Sequence, residues 1–276
     1  MGGVAVGDPR LRSRRTRGLA VSRRWRQAAL VVAGWLAFLG LWTYAAHNWV
    51  NPFILPTPAK VLDEMWLILS SGELFEHFQW SLLKTLAGFG LAIAIGLPIG
   101  FAMGRSRWWR AFFHMPVTVA GNIPGITYAV MALVIFGISL EGPILAVALI
   151  SMPYIAINVA AGLDGIDRGL MAMSTAFGRT GRQVLRHVLL PTVIPFVFAG
   201  IRLSFALAWK VEAITEVFGA SNGVGYMIRQ SYDHFSVAGI LAWMFFFVIF
   251  IVLMERFVLQ AIERRIFRWR PAEVTS

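Results

Sequence analysis

Six stretches of the chain are apolar for long enough to matter, near Ala28–Ala46, Thr85–Met103, Pro116–Gly137, Pro143–Ala161, Thr192–Val211 and Val237–Met254. Crossing about 30 Å of hydrocarbon takes about 20 helical residues. Barrel strands would alternate apolar with polar positions, whereas these runs are continuous, and backbone polar groups cannot go unpaired in lipid. The pattern predicts an all-α, polytopic membrane protein with about six transmembrane helices. Long breaks follow the first run (47–84), the fourth (162–191) and the fifth (212–236), and the one of about 30 residues at 162–191 is too long for a simple turn.

Composition agrees with this pattern. Only 14% of the 276 residues are charged and 58% are apolar, against about 25% charged in a soluble domain. The reading is a transmembrane domain over 28–270, preceded by a basic tail (1–27) and followed by a short one (271–276). A net charge of +11 would suit nucleic acid, but the arginines gather at the ends and at the breaks, which points to lipid topology and to no nucleic-acid partner. With the amino terminus inside, 20 of the 25 lysines and arginines fall on one side. The positive-inside rule makes that side the cytoplasm, so both termini are expected there, in the plasma (inner) membrane of a bacterium. The arginine tail is expected to hold the first helix to membrane lipids on that side. An uncleaved helix fits 28–46 better than a signal peptide, because no small-x-small cleavage site follows it. Without cysteine there are no disulfides, thiolate metal sites or cysteine nucleophiles.

The long break reads GLDGIDRGLMAMSTAFGRTGRQVLRHVLLP. Leu170, Met173, Ser174 and Phe177 follow helical spacing and place an apolar stripe on one short helix. Gly178 can take φ > 0 and turn the chain, and a second helix over Thr180–Leu190 then runs into Pro191. Such a pair can pass a push from a soluble partner into the membrane, or simply lie on headgroups.

Here the residues resemble a known family. Gly178, nine residues, then Val188–Leu189–Leu190–Pro191 is similar to the coupling (EAA) loop of ABC importer permeases, with Gly178, Leu190 and Pro191 matching and Ala172, Met173 and Ser174 standing where that motif begins. The resemblance continues through ILPTPAKVL (54–62), GLPIGFAMGRSR (96–107) and AGIRLSFALAWKVEAITEVFGASNGVGYMI (199–228) to the subfamily for nitrate, sulfonate and taurine. It implies a type I importer fold and a subunit that is not itself an enzyme. Its implied partners are ABC ATPase subunits that bind the ATP and Mg, an extracytoplasmic solute-binding protein and a second permease copy. This chain would bind no cofactor, and it carries no Walker-type GxxxxGK[ST] of its own. On this resemblance Met173, Ser174, Phe177, Gly178, Arg179, Arg182, Leu190 and Pro191 couple to the ATPase.

Ionisable and polar groups inside spans are candidate pathway residues. Lys210 has no acidic residue three or four positions away; it attracts an anionic solute, pairs with a charge on another helix, or snorkels to the interface. Glu212 and Glu216 stand one turn apart on one face, where two ionised carboxylates would repel an anion, and a gating or pairing role for Glu216 is the alternative. Asn122, Pro124 and Asn158 line the passage or serve helix packing. Gly96, Gly100 and Gly104 allow close approach of a neighbouring helix, within the subunit or in a dimer. The histidines lack metal-ligand spacing, and no catalytic grouping of nucleophile and base emerges. The expected function is a permease for a small anion such as a sulfonate, taurine or nitrate; an aromatic carboxylate or thiamine-precursor solute is the alternative. Outside transport, the alternatives are a membrane scaffold or lipid-binding protein and an intramembrane lipid-modifying enzyme.

Overall fold

The computed structural model describes residues 9–51 and 53–266, with the backbone alone for 9–25, 27 and 168. The expected terminal tail over 271–276 and residues 1–8 of the amino-terminal one lie outside the described residues. Contacts divide the chain into two compact units, Met1–Asp63 and Glu64–Ser276.

In the first unit a single helix, α1 (Pro9–Asn48), carries the basic segment and the first apolar run without a break. Most of its apolar part is exposed, with only Ala46 buried near its end, as expected of a helix solvated by lipid. The chain then turns, and Trp42 donates its indole N–H to the Pro56 carbonyl at 3.1 Å. Helix α2 (Pro58–Ser71) follows and leads into the second unit.

The second unit is built on α3 (Glu73–Arg105), α6 (Glu141–Asp164) and α9 (Leu190–Gly219). Helices α3 and α6 run parallel and touch along a glycine seam. A methyl at Gly96 would meet the Ile155 Cβ at 3.1 Å, and one at Gly100 the Val159 Cβ at 2.6 Å. The Gly96–Gly100–Gly104 face therefore packs inside the subunit. Overpacking such a seam costs about 1–3 kcal/mol per inserted group. Helix α9 crosses α6 antiparallel, with Gly162 against Phe196 and Gly200 against Asn158. Phe89, Val147, Ile155, Val159 and Phe205 close the core between the three helices.

The third apolar run is not one straight span. It is divided into α4 (Arg107–Asn122) and α5 (Gly125–Phe136), bent by 93°, so the straight crossing over Pro116–Gly137 is corrected to a broken one. Pro124 supplies no N–H and bars its predecessor from helical angles. The carbonyls freed at the break are answered by tyrosine hydroxyls: Tyr128 donates to the Ala120 oxygen at 2.8 Å and Tyr154 to the Gly121 oxygen at 3.2 Å. With the bent pair counted as one crossing, the described residues hold up to six spans.

Helices α7 (Arg168–Ala176) and α8 (Gly181–Val184) fill the long break. A π-helical turn, Leu185–Leu189, joins α8 to α9, so residues 181–219 form one continuous helix of 39 residues through Pro191 and Pro195. The second helix of the break, expected over Thr180–Leu190 and running into Pro191, continues through that proline into the fifth span. Thr192 donates to the Val188 carbonyl at 2.7 Å, the kind of side-chain help that lets proline sit in a membrane helix. After α9 come α10 (Val224–Asp233), α11 (Val237–Leu253), a second π-helical turn (Met254–Leu259) and α12 (Gln260–Ile266). The alternation of helix directions puts the α3–α4 turn, the long break and α12 at one end of this unit, together with its many arginines. Residues 72–73, 137–141 and 220–236 lie at the other.

Candidate coupling surface and transport face

At the arginine-rich end, the chain from Asp164 to Leu190 is held in shape by its own backbone chemistry. Asp167 caps α7 by accepting from the Gly169 N–H. Gly178 takes φ +62°, and the helix closes with Arg179 N–H on the Ser174 carbonyl and Gly178 N–H on the Thr175 carbonyl, both 3.0 Å. That pair of bonds is a Schellman turn. Thr180 and Gln183 then form a reciprocal capping box that starts α8. Two short helices and the turn between them are thus ordered without help from a core. Leu170, Met173 and Phe177 stand exposed on α7, Phe177 at 76%. Ser174, expected on the same stripe, is turned inward at 7% exposure, where its hydroxyl donates to the Leu170 carbonyl. Arg179, Arg182 and Leu190 are exposed and Pro191 is half-buried.

Mid-span, α9 presents an open face. Ala199, Leu203, Ala206 and Lys210 are exposed on it, and Ala213 and Val217 are half-buried. Their spacing of four, three, four, three and four residues is the a/d seam of a helix that packs on another. Lys210 sits in this seam with no ion pair to any described residue. The break between α4 and α5 is at the same level, since Gly125 lies so close to Val211 that a methyl there would approach its Cγ2 to 2.6 Å. Asn122 and Pro124 are exposed at this break, Asn122 donating to the Thr118 carbonyl at 2.7 Å. Asn158 is half-buried, donates to the Tyr154 carbonyl of its own helix and packs on Gly200.

Glu216 lies inside the subunit. It is 0% exposed and pairs at 2.8 Å with Lys84 of α3. The Ser81 hydroxyl lies 2.8 Å from both carboxylate oxygens, and the Gly225 N–H donates to Oε2 at 2.8 Å. Lys84 donates further to the Asn222 carbonyl at 2.8 Å, and Ser81 accepts from the Val224 N–H at 2.9 Å. A Cβ at Gly223, which holds φ +113°, would strike the Glu216 carboxylate. The stretch EVFGASNGVGY is therefore the loop that wraps this ion pair. One turn below, Glu212 is also buried, at 1% exposure, and neither of its oxygens has a hydrogen-bond partner among the described residues. Lys84 was not among the sequence candidates because the second apolar run was taken to start after it. The signal was present as Ser81 and Lys84 one turn apart at the head of that run. Arg202 bridges Glu255 at 2.8 Å and Glu263 at 3.1 Å, tying α9 to the carboxy-terminal helices.

An all-helical bundle of up to six spans, with an ordered helix pair at one end and a lysine open on one span, has the architecture of a membrane permease. Residues 92–269 match the family of binding-protein-dependent transport system inner membrane components, and the chain belongs to it. It is 30% identical over 247 residues to SsuC of Escherichia coli (strain K12), whose name assigns it to aliphatic sulfonates transport, covering 88% of this chain and 94% of that one. It is 26% identical to the taurine transport system permease protein TauC of the same organism, covering 89% and 92%. The inward-facing MetNI methionine ABC transporter has a chain that superposes with a TM-score of 0.60 at 25% identity, over 73% of this chain and 97% of that one. The all-helical importer-permease fold expected from the sequence is the fold observed.

Proposed function

We propose that the chain is the permease of an importer for a small anion of the sulfonate or taurine type, working with a second copy of itself, a pair of ATPases and an extracytoplasmic solute-binding protein. The observation that carries the anion is Lys210. A lysine exposed in mid-span without a counter-charge is costly in hydrocarbon, so its face meets another protein surface or a watered passage. The heptad spacing around it suits a second α9, and two such helices would bring two Lys210 ammoniums near one another, a geometry that an anion between them relieves. The names of the sulfonate and taurine relatives support this solute class.

The α7–α8 pair is the contact for an ATPase. Phe177 and Met173 offer the apolar knob, Arg179 and Arg182 the charged rim, and Gly178 the turn that aims them. Closure of the ATPases would move this segment and, through the continuous helix, the Lys210 face, switching access from one side to the other. The arginine-rich end is cytoplasmic on this reading. The chain's own part is passage and transmission, and ATP is hydrolysed by the partner.

The test is uptake by the reconstituted complex. Lys210→Gln should raise the half-saturating concentration for an alkylsulfonate about tenfold, as loss of one charge-assisted contact does, with Lys210→Arg close to wild type. Uptake by Lys210→Gln that matches wild type at every concentration would remove the anion assignment. A panel of sulfonates, nitrate, aromatic carboxylates and pyrimidines on the partner binding protein then places the solute within or outside the anion class.

A further inference from the structure

A cleft of about 610 Å³ opens beneath α7, between the α3–α4 turn, the end of α6 and the π-helical turn. Its volume lies within the roughly 300–1,000 Å³ of ordinary ligand pockets. The interior is apolar, with Phe101, Leu163, Leu189 and Val193 among its walls, and Arg105 is at its rim. Arg105 is exposed and makes no ion pair with any described residue, whereas the nearby Arg110 is taken by Asp164 in a two-bond pair at 2.6 and 2.8 Å. Trp108 and Trp109 stand exposed at the same turn, at 78% and 51%, as aromatic side chains do where hydrocarbon meets headgroups.

We infer that this cleft holds one anionic phospholipid, with an acyl chain among the apolar walls and the phosphate on Arg105. The charge pattern selects this occupant. An acyl chain alone leaves the free guanidinium unanswered, and a free phosphate leaves the apolar interior wet, while a phospholipid with an acidic headgroup satisfies both at the depth where this turn sits. Met171 of α7 also lines the cleft, so the lipid braces the helix pair.

Native mass spectrometry of the detergent-purified full chain, titrated with phosphatidylglycerol and with phosphatidylcholine of the same acyl chains, tests this without any transport partner. Wild type should retain phosphatidylglycerol roughly fivefold better, the scale of one basic side chain at the surface. Arg105→Gln, an exposed change that leaves the fold intact, should abolish the preference. Arg107→Gln, on the same turn but outside the cleft, should keep it. Ala102→Phe, which fills the cleft, should lower retention of both lipids. Equal retention of the two lipids by wild type, a preference that survives Arg105→Gln, or equal losses from Arg105→Gln and Arg107→Gln would overturn the site, the last by reducing it to a generally basic surface. Retention unchanged by Ala102→Phe would likewise exclude the cleft as the seat of the acyl chain.

Discussion

Lys84 and Lys210 are the same residue type in the same membrane-embedded unit, yet their surroundings are opposite. Lys84 is 1% exposed and spends its protons on Glu216 and a backbone carbonyl. Lys210 is exposed in a seam of alanines and leucine and meets no described partner. A buried cation with a matched anion and donors for every carboxylate oxygen holds three elements at one point. A cation left open in a span has no structural work to do inside its own chain. One lysine is satisfied within the fold, and the other is, on the proposed reading, satisfied by what the fold meets.

The sharpest way to break the contrast is to unbalance the closed pair. Glu216→Ala strands Lys84 in a buried site and should destabilise the permease by about 3–5 kcal/mol, seen as lost yield and a lower thermal midpoint in detergent. Lys84→Met combined with Glu216→Leu should recover much of that loss, because apolar replacements leave no buried charge. A double variant no more stable than Glu216→Ala would mean that the node works through something other than the ion pair. The open lysine should behave differently: Lys210→Gln should change the thermal midpoint little while altering transport.

Next in size is the surface proposed to meet the ATPase. Phe177→Asp removes an exposed apolar contact, and Gly178→Val opposes the φ +62° on which the turn depends. Each should weaken ATPase association by about 2 kcal/mol, roughly thirtyfold, with the permease still inserted and folded. Co-purification of the ATPase measures it, and wild-type retention in both variants would remove the coupling role. The smallest effect separates the two carboxyls of α9. Glu212→Gln keeps the shape of a buried side chain whose oxygens have no hydrogen-bond partner among the described residues, and should change stability by about 1 kcal/mol, the ordinary scale of a single substitution. A loss as large as that of Glu216→Ala would mean that Lys84 is shared between the two.

Much of this was legible in the sequence. The lengths of the apolar runs gave the spans, because the bilayer fixes the length of a crossing helix, and the glycine at 178 marked its turn because few other residues adopt that angle cheaply. The break at Pro124 was visible as a residue but not as a 93° bend, since a proline inside a span either kinks or breaks it according to what answers the freed carbonyls. Tyr128 and Tyr154 do so here, one from the neighbouring helix α6. The Lys84–Glu216 pair was hidden for a similar reason: its partners lie 132 positions apart, and no local pattern announces a charge whose match is on another helix. The T-x-x-Q capping box at 180–183 was the opposite case, a local signal there to be read.

The continuous helix from Gly181 to Gly219 sets a scale for motion. At 39 residues and about 1.5 Å per residue it is a rod roughly 58 Å long, with the Schellman turn at one tip, Glu216 near the other and Lys210 between. A tilt of about 5° over that length displaces one tip by about 5 Å, close to the rise of a single helical turn. A small rotation applied outside the bilayer can therefore carry a side chain past its neighbour on the far side, provided that the rod bends only where it is already loosened, at the π-helical turn over Leu185–Leu189 and at Pro191 and Pro195 just beyond it. Stiffness over residues 196–219, with the loosened part confined to 185–195 near one tip, is what a lever needs.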